Sequence, residues 1–434
     1  MKDSQSNSEK QSSLKFLLRA LRYRNYRLFF SGQGISLVGT WMQQIAISWL
    51  VYRLTNSPFL LGFIGFVGQV PTFLLAPVAG VFADRWNRRK LLVLTQILAM
   101  LQAFLLAFLT FTGHIVIWHL VILSIILGLV SALDIPVRQS FVIDLVEDKN
   151  DLGNAIALNS VMFNGARLVG PSIAGLLISI VGEGMCFFLN GISFLAIVIA
   201  LMAMNVPERM RKSETLPFVQ GLRDGYRYTF GFAPIRYIIL LLGLISLMGM
   251  PYLVLMPVFA RDILHGGPHT LGFLMGASGI GALIGAVLLA SKKTVLGLGR
   301  LIVIASSAFG TGLIVFSASR YVPLSLCMML LTGFGMIVHM ASSNTVLQTI
   351  VDEDKRGRIM SFYAMAFMGM APFGSLLAGG LASKIGAPYT LTISGLACVA
   401  GSLLFLTKLP LMRRLVRPIY VQVGAIRELP TDLQ

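Results

Sequence analysis

Long apolar runs separated by short polar segments dominate the chain, and the charged residues are gathered in the polar segments. A soluble helix would instead carry a polar stripe that recurs at every turn. Each apolar run is long enough for the roughly 20 residues with which a helix crosses a bilayer. The pattern therefore predicts an all-α membrane protein. Its twelve predicted transmembrane helices are residues 28–52, 59–82, 91–111, 115–137, 153–181, 184–204, 236–260, 269–290, 300–318, 321–343, 358–382 and 388–408.

A long polar segment, residues 205–235, separates the sixth predicted span from the seventh and predicts two six-helix halves. An internal repeat supports the division, because Leu145-Val146-Glu147-Asp148-Lys149 before span five resembles Ile350-Val351-Asp352-Glu353-Asp354-Lys355 before span eleven. Two such halves are typical of transporters that work by rocking. The expected organisation is a basic amphipathic segment at 1–27, an N-terminal half at 28–204, a cytoplasmic linker at 205–235, a C-terminal half at 236–408 and a cytoplasmic tail at 409–434.

Composition and charge are typical of a membrane protein. Of its 434 residues, 56% are hydrophobic and 12% are charged, whereas soluble domains have about 25% charged residues. The net charge of +17 does not indicate nucleic acid, which would require one exposed basic face. With a cytoplasmic amino terminus, roughly 30 of the Lys and Arg side chains lie inside. We therefore expect a multi-pass protein of the cell (inner) membrane with both termini in the cytoplasm.

The loop after the second span carries a motif with a specific spacing. It reads Gly80-Val81-Phe82-Ala83-Asp84-Arg85-Trp86-Asn87-Arg88-Arg89-Lys90 and resembles the G-x-x-x-D-R-x-G-R-R/K motif of the major facilitator superfamily, with Asn87 in place of the usual Gly. Asn tolerates a left-handed turn better than most residues. The charges predict a conformational latch whose contacts exist in only one state of the transporter. Alternatively, these cations only fix the orientation of the protein in the membrane. The latch residues are Gly80, Asp84, Arg85, Arg88 and Arg89.

A second motif lies in span five, where residues 165–175 are similar to the G-x-x-x-G-P-x-x-G-G motif of the superfamily's drug/proton antiporters. Ala174 replaces the first Gly of the last pair. Small residues at this spacing allow close helix packing, and this alone could explain them. The motif residues are Gly165, Gly170, Pro171 and Gly175. Spans four and five further resemble the branch of the enterobactin exporter and macrolide-efflux relatives, which implies export of hydrophobic or chelating small molecules.

Two charged residues are candidates for coupling. Arg167 lies about 20 Å along its helix, near the bilayer midplane, where a charge must face protein or water. It either substitutes for the antiporters' usual cation in span four or is a structural residue. Asp134 is either a proton carrier or, more simply, the partner of Arg138 one turn later. The resemblance implies a cavity lined by spans one, four, seven and ten. The polar candidates on spans one, seven and ten are Gln33, Trp41, Gln44, Tyr252 and His339.

Enzyme signals are missing from the sequence. It has no G-x-x-x-x-G-K-[ST] phosphate loop, so ATP is not expected as the energy source, and no H-E-x-x-H zinc motif. Three scattered cysteines predict neither a disulfide framework nor a metal site, and no cofactor is expected. The expected function is proton-coupled export of amphipathic small molecules by alternating access. A lipid or lysolipid flippase of the same fold, or a membrane sensor or partner subunit without transport, remain alternatives.

Overall fold

The computed structural model describes residues 19–205, 226–292 and 294–422, without the side chains of 76–85, Lys149 and Asp354. Predictions for residues 1–18, 206–225 and 423–434, which include most of the amphipathic segment, the linker and the tail, lie outside this part of the chain. All secondary structure in the described residues is helical. The long helices are α1 Arg24–Thr55, α2 Pro58–Arg85, α3 Arg88–Phe111, α4 Ile117–Asp144, α5 Leu152–Val181, α6 Glu183–Ala203, α7 Ala233–Ile263, α8 Pro268–Ala290, α9 Leu298–Ala318, α10 Val322–Ile350, α11 Glu353–Ala364 continued by Met370–Ile385, and α12 Ala387–Gln422.

Eleven of these helices, α2 to α12, are long and apolar enough to cross a membrane. The helix α1 is 32 residues long but less apolar, because its sequence includes Gln33, Gln43 and Gln44. The structure therefore confirms an all-helical, multi-pass membrane protein. The crossing of α1, which would make twelve spans, is not established by length and composition.

Several helices continue beyond the predicted spans. α4 ends at Asp144 rather than 137, α10 at Ile350 rather than 343, and α12 at Gln422 rather than 408. The predicted spans ended where polar residues began, but a helix satisfies its own backbone hydrogen bonds in water as well as in lipid. Part of the predicted tail, residues 409–422, is thus a continuation of α12.

Two helices contain π turns that the apolar pattern did not predict. In α7 these are Ile245–Gly249 and Phe259–Ile263, and in α11 the turn is Met365–Gly369. Pro251 and Pro257 lie in α7 beside its two turns, and Pro372 follows the turn of α11. A proline has no N–H for the helical ladder and its ring crowds the preceding turn, so the ladder changes register nearby.

The chain divides into two compact units. The first contains the described residues of Met1–Leu54 and Val67–Ser213, and the second those of Thr55–Phe66 and Glu214–Gln434. The first unit packs a core around the fully buried side chains of Tyr26, Phe29 and Phe141. In the second, α10 packs against both α8 and α9, and α9 also packs against α12.

Glycines set the distance between α8 and α10. A Cβ at Gly281 would collide with the carbonyl of Leu330, and a Cβ at Gly333 would collide with the carbonyl of Ser278. Gly281 belongs to the glycine run Gly279, Gly281 and Gly285 of α8. This run has a packing role, since close approach of two backbones requires residues without a side chain.

Candidate functional site

A cation and an aromatic ring meet within the first unit, where α5 crosses α1. The guanidinium carbon of Arg167 lies 5.8 Å from the centroid of the Trp41 ring. Trp41 in turn packs edge to face with Phe163, at 5.8 Å between ring centroids. Both Arg167 and Trp41 are half-buried. The pair offers a positive charge beside a flat apolar surface, a combination that can contact both ends of an amphipathic molecule.

Close packing of α5 on α1 holds this pair in position. A Cβ at Gly170 would lie 2.6 Å from the Cβ of Trp41 and 2.8 Å from the carbonyl oxygen of Val38. Gly170, Pro171 and Gly175 are buried, whereas a Cβ at Gly165 would meet nothing within 4 Å. The antiporter-like motif therefore includes one glycine that the helix crossing requires, beside Trp41, and one that has room for a side chain.

Asp134 has a full set of partners in the first unit. Its Oδ1 accepts hydrogen bonds from the Thr95 hydroxyl at 3.0 Å and from Gln96 Nε2 at 2.6 Å. Its Oδ2 lies 3.4 Å from a guanidinium nitrogen of Arg138, one helical turn away. The predicted pairing with Arg138 is confirmed. Because both carboxylate oxygens are engaged with α3 or with the next turn of α4, the arrangement resembles a structural link between these helices more than a proton carrier.

A chain of buried amides also connects α3 and α4. Asn190 donates to Gln43 at 2.8 Å, Gln43 donates to Gln102 at 3.0 Å, and Gln102 donates to the carbonyl of Leu123 at 3.2 Å. These bonds join α6, α1, α3 and α4. The sequence predicts the neighbouring Gln44, which is exposed, and Gln33, which is buried, but not Gln43. Asn190 and Gln102, polar residues in otherwise apolar spans, were the available signal.

The latch motif is partly described. Arg88 forms an ion pair with Asp144 at the end of α4, at 2.8 Å, and Arg89 donates to the carbonyl of Met202 at 2.8 Å. Both contacts lie within the first unit. Gly80, Asp84 and Arg85 belong to the last turns of α2, and their side chains lie outside the described part.

The role expected of Asn87 was wrong. Its φ is −62°, which is not a left-handed conformation, and its side chain accepts a hydrogen bond from the backbone N–H of Lys90. Asn87 is therefore the N-cap of α3. Its amide oxygen satisfies one of the unpaired amide groups that begin every helix, so the Asn replaces the usual Gly without needing its backbone freedom.

The polar candidates of the second unit are buried. Tyr252 is completely buried and its hydroxyl lies 2.9 Å from the Ser278 hydroxyl. Its ring also packs edge to face with Phe309. This tyrosine forms an interhelical hydrogen bond between α7 and α8, which is the common role of such residues in membrane helices.

His339 of α10 differs from Tyr252 because its polar atoms are not satisfied. The side chain is 1% exposed, and neither ring nitrogen has a hydrogen-bond partner among the described residues. The Ile302 backbone is near enough for a weak interaction, but without the geometry of a hydrogen bond. The hydroxyls of Ser342 and Ser343, three and four residues further along, are likewise buried without a partner in the described residues. Buried polar groups without a hydrogen bond are costly and uncommon in folded proteins.

No group of three or more His, Cys, Asp or Glu side chains within the described part of the chain could hold a metal ion. All three cysteines have free thiols.

Comparison with known proteins gives the chain a family. The model of a family described as "Transmembrane secretion effector" matches residues 17–417. The Staphyloferrin A transporter of Staphylococcus aureus is 26% identical over 87% of this chain and 95% of its own length. The macrolide efflux protein A of Streptococcus pyogenes is 21% identical over 87% and 96%, and the multidrug efflux pump Tap of Mycolicibacterium fortuitum is 23% identical over 82% and 87%.

Solved transporters share the fold. A bacterial homologue of the iron transporter ferroportin has a TM-score of 0.67 and 18% identity, over 88% of this chain and 98% of that one. The nucleoside transporter NupG has a TM-score of 0.69 and 12% identity, over 89% and 98%. At such identities the likeness concerns the fold alone.

Proposed function

Because this chain belongs to the Transmembrane secretion effector family of the major facilitator superfamily, we propose that it exports amphipathic small molecules, drug-like or siderophore-like, from the cytoplasm. The observation that carries the proposal is similarity along nearly the whole chain to two efflux proteins and a Staphyloferrin A transporter. The family is one of transporters rather than enzymes. Export would proceed by alternating access, with transport coupled to protons and without ATP.

Retention of small molecules tests the substrate class directly. Cells that lack the gene should accumulate the exported compound, and cells that overproduce the protein should retain less macrolide and less staphyloferrin A than cells with an empty vector. Overproduction of Arg167→Met is the matched control for membrane protein load. Equal retention of every such compound, together with faster translocation of a fluorescent lysolipid, would replace the exporter by the flippase.

The proposed topology has twelve crossings, α1 included, in the inner membrane with both termini in the cytoplasm. Its support is the strong bias of Lys and Arg toward one set of loops. Reporter fusions after residues 150, 220 and 434 should therefore all report cytoplasm. A periplasmic signal from any one of them would refute this orientation.

We propose His339 as the proton-binding group. Asp134 is already paired with three donors, whereas the ring nitrogens of His339 have no hydrogen-bond partner among the residues that the structure describes. The helices α8 and α9 pack on α10 and contribute one titratable or charged side chain each, His269 and Arg300, both close to a helix end. Imidazole is the side chain whose charge most readily changes near neutral pH. A conformational change that admits water would then allow protonation, and this links the proton to the transport cycle.

A further inference from the structure

A cavity of about 500 Å³ opens in the second unit where α7 and α11 begin. Its walls come from the helical residues 226–231, which precede α7, and from the first turns of α11. Both apolar spans start here, at Ala233 and Lys355. The cavity therefore lies at the level where lipid-facing helix gives way to polar loop, which is the level of the lipid headgroups.

Three basic side chains line this cavity. Arg227 comes from the segment before α7, and Lys355 and Arg358 lie three residues apart on one face of α11. None of the described residues that line it is acidic. Arg227 is exposed, while Lys355 and Arg358 are half-buried. Three cations around one opening provide the charge that a phosphate group requires.

One carboxylate adjoins the cavity without occupying it. Asp352 accepts from Lys355 Nζ at 3.0 Å and from the Tyr228 hydroxyl at 3.4 Å, and its side chain is 62% exposed. The same Lys355 ammonium lies 4.7 Å from the centroid of the Tyr228 ring. Asp352 and the ring therefore hold the Lys355 ammonium at the wall of the cavity.

Apolar side chains complete the lining. Phe232, at the start of α7, and Ile359, which is buried on α11, lie on the walls beside the cations. A free inorganic anion gains nothing from such surfaces, whereas a phosphate that is attached to acyl chains does. The two walls lead into the apolar faces of the spans they begin.

The geometry points to a binding site for an anionic phospholipid, with the phosphate among Arg227, Lys355 and Arg358 and the glycerol and first methylenes against Phe232 and Ile359. This site is separate from the Arg167–Trp41 pair and from His339, and it does not depend on the exported substrate. Free phosphate shares the chemistry of the headgroup but lacks the chains that the apolar walls would contact.

Native mass spectrometry of the full-length protein in detergent tests this site. The protein receives equimolar phosphatidylglycerol and phosphatidylcholine, and the bound copies of each are counted. Wild type should retain at least one phosphatidylglycerol in preference to phosphatidylcholine. In Arg227→Gln/Arg358→Gln that preference should fall about thirtyfold, since each basic residue near a membrane surface contributes about a fivefold factor. The matched control, Arg413→Gln/Arg414→Gln, removes two exposed charges of α12 and should bind as wild type does.

Each other outcome overturns the proposal. Wild-type binding by the double variant would remove the cavity from lipid recognition, and an equal loss in the α12 control would reduce the effect to overall charge. Displacement of the lipid by millimolar inorganic phosphate would assign the site to free phosphate instead. If the double variant fails to fold, Arg227→Gln, whose side chain is exposed, should still lower the preference about fivefold.

Discussion

The two units place their carboxylates differently. In the first unit, three of the carboxylates pair with arginines that are distant in sequence: Asp151 with Arg19 and Arg22 at 2.9 and 2.8 Å, Asp144 with Arg88 at 2.8 Å, and Glu183 with Arg53 at 2.8 Å. In the second unit, the described ion pairs are local, Asp352 with Lys355 at 3.0 Å and Glu353 with Arg356 at 3.9 Å.

The ion pairs of the two units also differ in burial, and therefore in how much they stabilise the protein. The Asp151 side chain is 5% exposed, and it also accepts from the Tyr23 hydroxyl at 2.9 Å. The Asp352 side chain is 62% exposed. Ion pairs in water contribute little because side-chain entropy and screening offset the attraction. A buried carboxylate that loses its partners is expensive. The long-range pairs of the first unit therefore tie its helices together, whereas those of the second hardly stabilise it.

The second unit relies instead on glycine packing and on hydroxyl contacts between helices. Ser402 donates to Ser306 at 2.6 Å, and the hydroxyls of Ser317 and Thr392 lie 2.8 Å apart. It also contains His339 without a hydrogen bond among the described residues. Among the described residues, the buried carboxylates of the first unit are therefore paired, whereas the second unit contains a buried imidazole without a hydrogen bond.

Arg167 carries the largest expected effect, because it is the charge of the first unit that faces an aromatic ring in a membrane span. Arg167→Met should insert and fold but transport near background, since the cation beside Trp41 is lost. Arg167→Lys, the control, should keep part of the activity because it keeps the positive charge but lacks the planar guanidinium group. Efflux from proteoliposomes and melting of the purified proteins are the measurements. Wild-type transport by the Met variant would remove Arg167 from function.

Asp151→Asn tests the comparison between the units most sharply. It should lower the free energy of unfolding by about 2 kcal/mol, the scale of a hydrogen bond to a charged group, because Arg19 and Arg22 lose their counter-ion. Asp352→Asn is the matched control and should leave the melting temperature unchanged. Thermal unfolding of both purified variants is the measurement. Equal destabilisation by the two would contradict the contrast.

Asp84→Asn tests the latch motif. Arg88 and Arg89 of the same motif make contacts within the first unit. We therefore propose that Asp84 is the residue of the motif that favours one conformational state of the transporter. Its loss should slow transport about tenfold at normal membrane abundance, the effect of one charge-assisted hydrogen bond. Arg89→Gln serves as a comparison variant. Unchanged turnover of Asp84→Asn would leave the motif as a topology signal.

The smallest effect concerns pH at Asp352. The hydrogen bond from Lys355 holds the pKa of this carboxyl below its ordinary value of 3.8. Any stabilisation from the pair is therefore present above about pH 4 and is lost as the pH falls through the lowered pKa. The difference in melting temperature between wild type and Asp352→Asn should be the same at pH 5 and pH 7. If a difference in melting temperature at pH 7 were lost at pH 5, the pKa of Asp352 would have to be raised rather than lowered.

The sequence predicts the helices well because the length of an apolar run is a strong signal. The two motifs indicate the superfamily. The sequence also predicted the Asp134–Arg138 pair because one helical turn fixes that spacing. It could not predict Gln43 over Gln44, since the rotation of α1 that buries one of two adjacent amides is set by packing against α6. The Asp151 cluster also escaped prediction. It joins residues more than 120 positions apart, and such contacts leave no local pattern.

Proton movement in proteoliposomes tests the central claim, that this chain is a proton-coupled exporter with His339 as the coupling group. Vesicles contain the purified protein and a pH-sensitive dye, and a macrolide is added outside. Wild type should move protons only when the macrolide is present, and His269→Gln, an exposed histidine at the start of α8, should do the same. His339→Gln should show no macrolide-dependent proton movement. Coupled movement in His339→Gln, or none in wild type, would contradict the account.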